Sequence, residues 1–195
     1  MLSAGVPITK ELVLLGGGHS HVEVLRSFGM KPVPGTRLTL VTRDVHTPYS
    51  GMLPGYVSGF YEYDECHIDL RQLAAFAGAR FLHAEASGID LASRRLMLSG
   101  RPHLQYDVLS INTGITPDQE SVPGAREYTT AVKPVNSFID RFHQVLAKVQ
   151  RAGRALTIAV VGGGAGGVEL ALAVRHRLED MRIHAGKPKE ASAKI

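Results

Sequence analysis

Leu12–Leu25 reads LVLLGGGHSHVEVL. Four apolar residues run into three glycines, and a mixed segment with Val22, Val24 and Leu25 follows. An unbroken apolar run suits a parallel strand covered on both faces, and the spacing beyond the glycines suits a helix. A strand, a tight glycine turn and a helix N-terminus together cradle a pyrophosphate. Gly16 and Gly18 take the first two positions of the G-x-G-x-x-G pattern, and His21 stands at the third. The first glycine permits the turn, and the second lets backbone N–H groups approach phosphate oxygens. His21 is expected either to push the helix outward or to seat its ring in a gap at the strand edge. His19 and His21 do not read as metal ligands, because they leave the first helical turn toward different faces and zinc needs three or four ligands. They read as helix-start residues near a phosphate. For Ser20, donation to a phosphate oxygen and capping of the helix stand level.

A second copy of the pattern lies at Ile158–Leu172, IAVVGGGAGGVELAL. Here Gly162, Gly164 and Gly167 fill all three glycine positions, with Glu169 two residues on. The alternative is a closely packed strand-to-helix turn that kept its shape without a ligand. Two such turns suggest two dinucleotides, one passing electrons to the other. The second unit reads as cut short, since a mononucleotide-binding half needs further strands and HAGKPKEASAKI does not resemble one.

Between the turns, Arg37–Thr42 alternates as a second strand, and Thr42-Arg43-Asp44 ends it. Thr42 stands where an acid would receive ribose hydroxyls, and Arg43 suits adenine stacking or a phosphate; an ordinary loop arginine is the alternative. HTPYSGMLPG, His46–Gly55, reads as a loop, and Asp69 as the cap of a short helix through Phe76. Residues 79–86, 94–98 and 104–111 read as three strands of an antiparallel meander. Val135–Gln150 has helical apolar spacing and ends at Gly153.

The 195 residues are 44% hydrophobic and carry a net charge of +4, of which Met181–Ile195 holds +3. The body is therefore near neutral, which excludes a nucleic-acid footprint. The lone Cys66 excludes an internal disulfide and a redox pair, and reads as a small buried or half-buried thiol. No signal peptide or membrane-spanning run is read, so an intracellular location is expected, with cytoplasm and organelle both open.

LVLLGGGHSHVEVL, TPYSGMLPG, YDVLSINTG and VVGGGAGGVELAL together resemble the two-dinucleotide flavoproteins, the pyridine-nucleotide-dependent flavin oxidoreductases. More narrowly, GGGHSH with TPYSGMLPG is similar to the NADH-dehydrogenase-like flavoproteins, some of them fused to selenide, water dikinase. The resemblance implies an α/β fold: a Rossmann-like FAD-binding domain, parallel sheet with antiparallel meander, then the truncated start of a second, NAD(P)-binding Rossmann-like domain. The implied boundaries are 1–130 for the first FAD segment, 131–154 for a connecting helix, 155–181 for the truncated second domain and 182–195 for a disordered basic tail. FAD pyrophosphate falls to Gly16, Gly18, His19 and Ser20, its ribose and adenine to Thr42, Arg43 and Ala86. The flavin ring falls to Ser50 and Gly51, and the closing motif to Thr113 and Gly114. NAD(P)H falls to Gly162, Gly164, Gly167 and Glu169. The implied reaction is hydride transfer from NAD(P)H to FAD, then to a quinone-like acceptor, with no catalytic side chain and no nucleic-acid partner; membrane association belongs to the full-length parent. The rival readings are a non-catalytic FAD- or nucleotide-binding fragment and an interaction protein with a relict fold.

Overall fold

A computed structural model describes residues 6–151 and 157–184. They divide into two compact units, 6–47 with 67–114, and 48–66 with 115–151 and 157–184.

The first unit is built on a four-stranded parallel sheet. Strand β1 (Lys10–Leu15) pairs with β2 (Thr36–Thr42) on one side and β9 (Val108–Ile111) on the other. Strand β5 (Arg80–His83) extends the sheet beyond β2, giving the order β5-β2-β1-β9. Alternate residues of LVLL serve opposite faces, as the two-residue period of a strand requires. Val13, Leu15 and Val41 pack with Leu96, Leu98 and Tyr106. Leu14, Leu38 and Leu40 pack with Leu25, Leu70 and Ala77. The run is unbroken because both faces are covered. Fully burying one such leucine contributes about 2–3 kcal/mol.

The second of these layers comes from helix α1 (His19–Met30) and helix α4 (Leu70–Phe76). The first comes from an antiparallel meander of β6 (Ala86–Asp90), β7 (Arg95–Leu98) and β8 (Arg101–Gln105). The meander expected from the sequence is thus present but shifted. The 79–86 run divides into β5 and the start of β6, and the 104–111 run into the end of β8 and all of β9. Backbone bonds mark the divisions: Ala84 N–H donates to the Thr42 carbonyl and Asp107 N–H to the Glu11 carbonyl. Local propensity cannot distinguish the two sheets, because both take short β-rich runs; partners far away in sequence decide.

Strands β3 (His46–Pro48) and β4 (His67–Asp69) pair as a short ribbon. Asp69 caps α4, accepting from the N–H groups of Arg71 (2.8 Å) and Gln72 (3.3 Å). The Arg71 guanidinium beside it, with these amides, holds the Asp69 carboxyl down at about 2. A depressed carboxylate stabilises the fold above its unfolded value and loses that contribution as pH falls through the folded one. The stability difference between wild type and Asp69→Asn should therefore shrink from about pH 4 downward, read as the gap between their Tm values across a pH series.

The second unit is helical. His46–Gly55 is not the plain loop the sequence suggested: a 3-10 turn at Ser50–Met52 leads into α2 (Leu53–Ser58). Pro54 stands in the first turn of α2, where its fixed φ favours the helix, and Leu53 and Val57 bury one face. Helix α3 (Tyr63–Cys66) and helix α5 (Ala125–Tyr128) are single turns. Helix α6 (Val135–Arg151) buries Val135, Phe138, Ile139, Phe142 and Leu146, the stripe its spacing announced. They share a core with Leu170, Ala173, Val174 and Leu178 of α7 (Ala165–His184). Arg182–His184, assigned from sequence to the tail, form the last turn of α7. The expected stop at Gly153, and residues 185–195 of the tail, lie outside the described residues.

One expectation fails in this unit. Residues 158–163, read as a buried parallel strand and its turn, form no strand, and Val161 is 90% exposed. A parallel strand exists only against a neighbour whose backbone completes its hydrogen bonds. Among the described residues this run has none.

Candidate functional site

The first glycine turn is stitched in place by backbone bonds. Gly16 N–H donates to the Val41 carbonyl (2.8 Å), and Gly18 N–H to the carbonyl of Asn112 (3.2 Å). Asn112 follows β9, and its own N–H donates to the Leu15 carbonyl (2.8 Å). The glycines are required by what surrounds them. Gly16 has φ +93°, and a Cβ there would stand 2.3 Å from the Asn112 carbonyl oxygen. A Cβ on Gly18 would fall 1.8 Å from Asn112 Oδ1. Asn112 is the residue that sequence reasoning missed. Its Oδ1 is buried without a partner among the described residues, a costly state for a polar atom. The signal was its place one residue beyond a strand in register with the end of β1, visible only once Leu15 is paired with Ile111.

Helix α1 starts at His19 with Gly18 as its N-cap and no side-chain cap. Ser20 is therefore not the cap; it is the second helical residue and exposed. No partner is found for the N–H groups of Gly17 and Ser20 among the described residues. Amides without a partner at the positive end of a twelve-residue helix have the geometry and dipole that suit an anion.

His21 does not push the helix away. Its ring is buried, 1% exposed, in the gap at the strand edge. Nδ1 lies 2.7 Å from the Gly16 carbonyl and Nε2 2.9 Å from Ser110 Oγ on β9. A carbonyl only accepts, so Nδ1 carries the proton, and the Ser110 hydroxyl donates to Nε2. Burial pushes the His21 pKa below the ordinary histidine value, against the hydrogen bond to Gly16, which raises it. The imidazole is thus neutral at neutral pH. Because the unfolded chain binds this proton more readily, stability falls as pH drops below about 6.5. A His21→Asn variant should lack that component, seen as a flatter dependence of Tm on pH between about 7 and 5. His19, in contrast, is exposed, so the two rings of the HxH face different surroundings.

The remaining positions read from sequence sit as follows. Thr42 is buried, its hydroxyl 3.1 Å from the Asp44 carbonyl, to which it donates. The exposed Arg43 faces the Asp44 carboxylate at 3.6 Å, and its carbonyl accepts from His83 (2.7 Å). Ala86 opens β6 opposite Leu98. Thr113 and Gly114 are exposed beyond Asn112, with Gly114 at φ +86°; the Cα of Thr113 would lie 2.8 Å from a Cβ on Gly16. The structure thus gathers Gly16, Gly18, His21, Asn112 and Thr113 around one turn. In the second unit, Ser50 and Gly51 lie exposed in the 3-10 turn. Burial, then the Glu65 charge, pushes the Cys66 thiol up, away from reactive thiolate character. At the second glycine turn, Gly162 has φ +117°, and a Cβ on Gly167 would stand 2.0 Å from the Gly162 carbonyl oxygen. The close approach that the third glycine serves is therefore present. Gly164 accepts from the N–H groups of Gly167 (3.0 Å) and Val168 (3.1 Å), and Glu169 is exposed on α7.

The family described as pyridine nucleotide-disulphide oxidoreductase matches residues 10–188. The chain belongs to this family. Within it, the chain is 27% identical over 179 residues to the NADH dehydrogenase-like protein YutJ of Bacillus subtilis (strain 168), covering 89% of this chain and 47% of the relative. It is 32% identical over 190 residues to the alternative NAD(P)H-ubiquinone oxidoreductase C1, chloroplastic/mitochondrial, of Arabidopsis thaliana, covering 87% of this chain and 36% of that protein. The chain thus spans less than half the length of these curated relatives. Among solved structures, NDH2 from Plasmodium falciparum in complex with NADH superposes with a TM-score of 0.72 at 19% identity, over 90% of this chain and 39% of that one. The sulfide:quinone oxidoreductase from Aquifex aeolicus gives 0.67 at 19% identity, over 92% and 42%. These likenesses establish the Rossmann-like fold. The disulphide of the family's description has no counterpart in these 195 residues, which hold one cysteine.

Proposed function

We propose that this chain is the N-terminal portion of an FAD-dependent NAD(P)H oxidoreductase that delivers electrons to a quinone-like acceptor. The observation that carries the reading is the turn at Gly16–Gly18. It follows a doubly covered strand, leaves the Gly17 and Ser20 amides without a partner among the described residues, and occurs in a member of a pyridine-nucleotide family. The fit to a dinucleotide rests on this chain's own geometry: a cradle in which no Cβ is tolerated, a helix end with no side-chain cap, and a buried amide oxygen beside it without a partner among the described residues. When bound, FAD supplies the hydride-accepting and electron-passing chemistry. The residues do the rest. Gly17 and Ser20 donate N–H groups to the diphosphate, and the Ser20 hydroxyl adds a third donor. Thr42 and Arg43 meet the ribose and adenine, with Ala86 beside the base. Thr113 and Gly114 would close the segment, and the family resemblance assigns the flavin ring to Ser50 and Gly51. Gly162, Gly164, Gly167 and Glu169 receive NAD(P)H.

A second reading is favoured by one observation. Residues 158–163 form no strand and Val161 is exposed, so among the described residues no sheet stands behind the second glycine turn. On that reading the chain binds FAD and oxidises nothing. No helix among the described residues is long and apolar enough to cross a membrane; peripheral association is left to the longer parent.

Thermal-shift titration with FAD, followed by NADH addition, separates the readings. Ligand at a hundred times its Kd stabilises the native state by about 2.7 kcal/mol, a Tm rise of roughly 5–10 °C for a chain of this size. A rise with bleaching of the flavin by NADH supports the oxidoreductase. A rise without bleaching supports the binding fragment. No rise, with protein that stays colourless after reconstitution, contradicts both.

A further inference from the structure

The third position of the glycine pattern holds His21, and the sequence offers no reason why a bulky ring should sit there. The structure does. The ring is buried between the turn and β9, and it makes two directed bonds, to the Gly16 carbonyl and to Ser110. The Gly16 carbonyl belongs to the same peptide plane as the Gly17 N–H. In a trans peptide those two groups point in opposite directions. Whatever fixes the carbonyl fixes the amide. The carbonyl is held inward by the buried imidazole, so the Gly17 N–H faces outward, where it has no partner among the described residues.

We propose that His21 is a positioning residue for diphosphate binding, aiming the Gly17 amide through its hydrogen bond to the Gly16 carbonyl. A glycine at this place would allow close packing but would leave that peptide free to rotate. Gly16, already at φ +93°, and Gly17 carry no side chain to restrain it. The histidine therefore exchanges the packing role of the third glycine for an orienting one. The small Ser110 makes room for the ring and supplies the proton its second nitrogen accepts.

This rests on the diphosphate reading above, and the test separates the two. The probe is ADP, titrated calorimetrically into the full chain. In His21→Asn the amide nitrogen replaces Nδ1 and keeps the bond to Gly16. In His21→Gln it reaches instead toward Ser110. His21→Asn should bind ADP within about threefold of wild type, and His21→Gln about tenfold or more weaker, the worth of one buried hydrogen bond. A ring that only filled space would give the reverse order, since glutamine fills the gap better; equal or reversed affinities overturn the proposal. Nitrogen-15 shifts of the wild-type imidazole decide the matter even if the variants fold poorly. A neutral ring protonated at Nδ1 supports the proposal, and one protonated at Nε2 overturns it. Wild type that binds no ADP removes the diphosphate reading itself, whatever the tautomer.

Discussion

Gly16→Ala is expected to lower unfolding free energy by about 3 kcal/mol or more, enough to unfold a large share of a marginally stable chain. Two effects add. The residue sits at φ +93°, a region where a side chain costs of order 1–3 kcal/mol. The new Cβ would also stand 2.3 Å from the Asn112 carbonyl oxygen, 2.6 Å from its carbon and 2.8 Å from Thr113 Cα. All three are backbone atoms, so no side chain can swing aside. The bond from Gly16 N–H to Val41 prevents the turn from sliding away. The measurement is urea denaturation at neutral pH. Gly163→Ala is the control: its Cβ would meet nothing within 4 Å, and its effect should stay within about 0.5 kcal/mol. Equal effects at the two positions would show that the first turn is not packed as described.

Leu70→Ala is expected to cost about 3 kcal/mol, within the range for deleting a fully buried leucine. Leu70 is 0% exposed and packs with Leu14, Leu25, Leu38 and Leu40. It also has a local role. Its Cδ1 lies 2.3 Å from where a Cβ of Gly17 would stand, so it forms the floor on which the turn rests. The variant should show a lower denaturation midpoint with an unchanged m-value, and an ADP affinity reduced at temperatures where it is still folded. Retained stability would mean that α4 does not support the sheet.

Much of this was legible before any coordinates. LVLL, the three glycines and the helix after them carry local signals strong enough to locate β1 and α1, and Asp69 and the stripe of α6 were equally plain. What was hidden depends on partners distant in sequence. Nothing near Ala79 or Leu109 says that these runs join a parallel sheet and not the meander between them. For His21 the sequence left two outcomes open, an outward helix or a ring seated at the strand edge, because the partner that decides, Ser110, is 89 positions away. Asn112 drew no reading of its own, since its role appears only when β9 is set in register beside β1. The second glycine turn misled in the opposite sense. Its motif is complete, but a motif does not make a strand; a neighbouring strand does.

The most direct test is an amide-resolved NMR titration of the nitrogen-15-labelled chain with ADP. Saturable shifts are expected, centred on the Gly17 and Ser20 N–H groups, with smaller ones at Gly18 and Asn112. ADP binding that leaves Gly17 and Ser20 unmoved, or no binding at all, would contradict a diphosphate site at this turn.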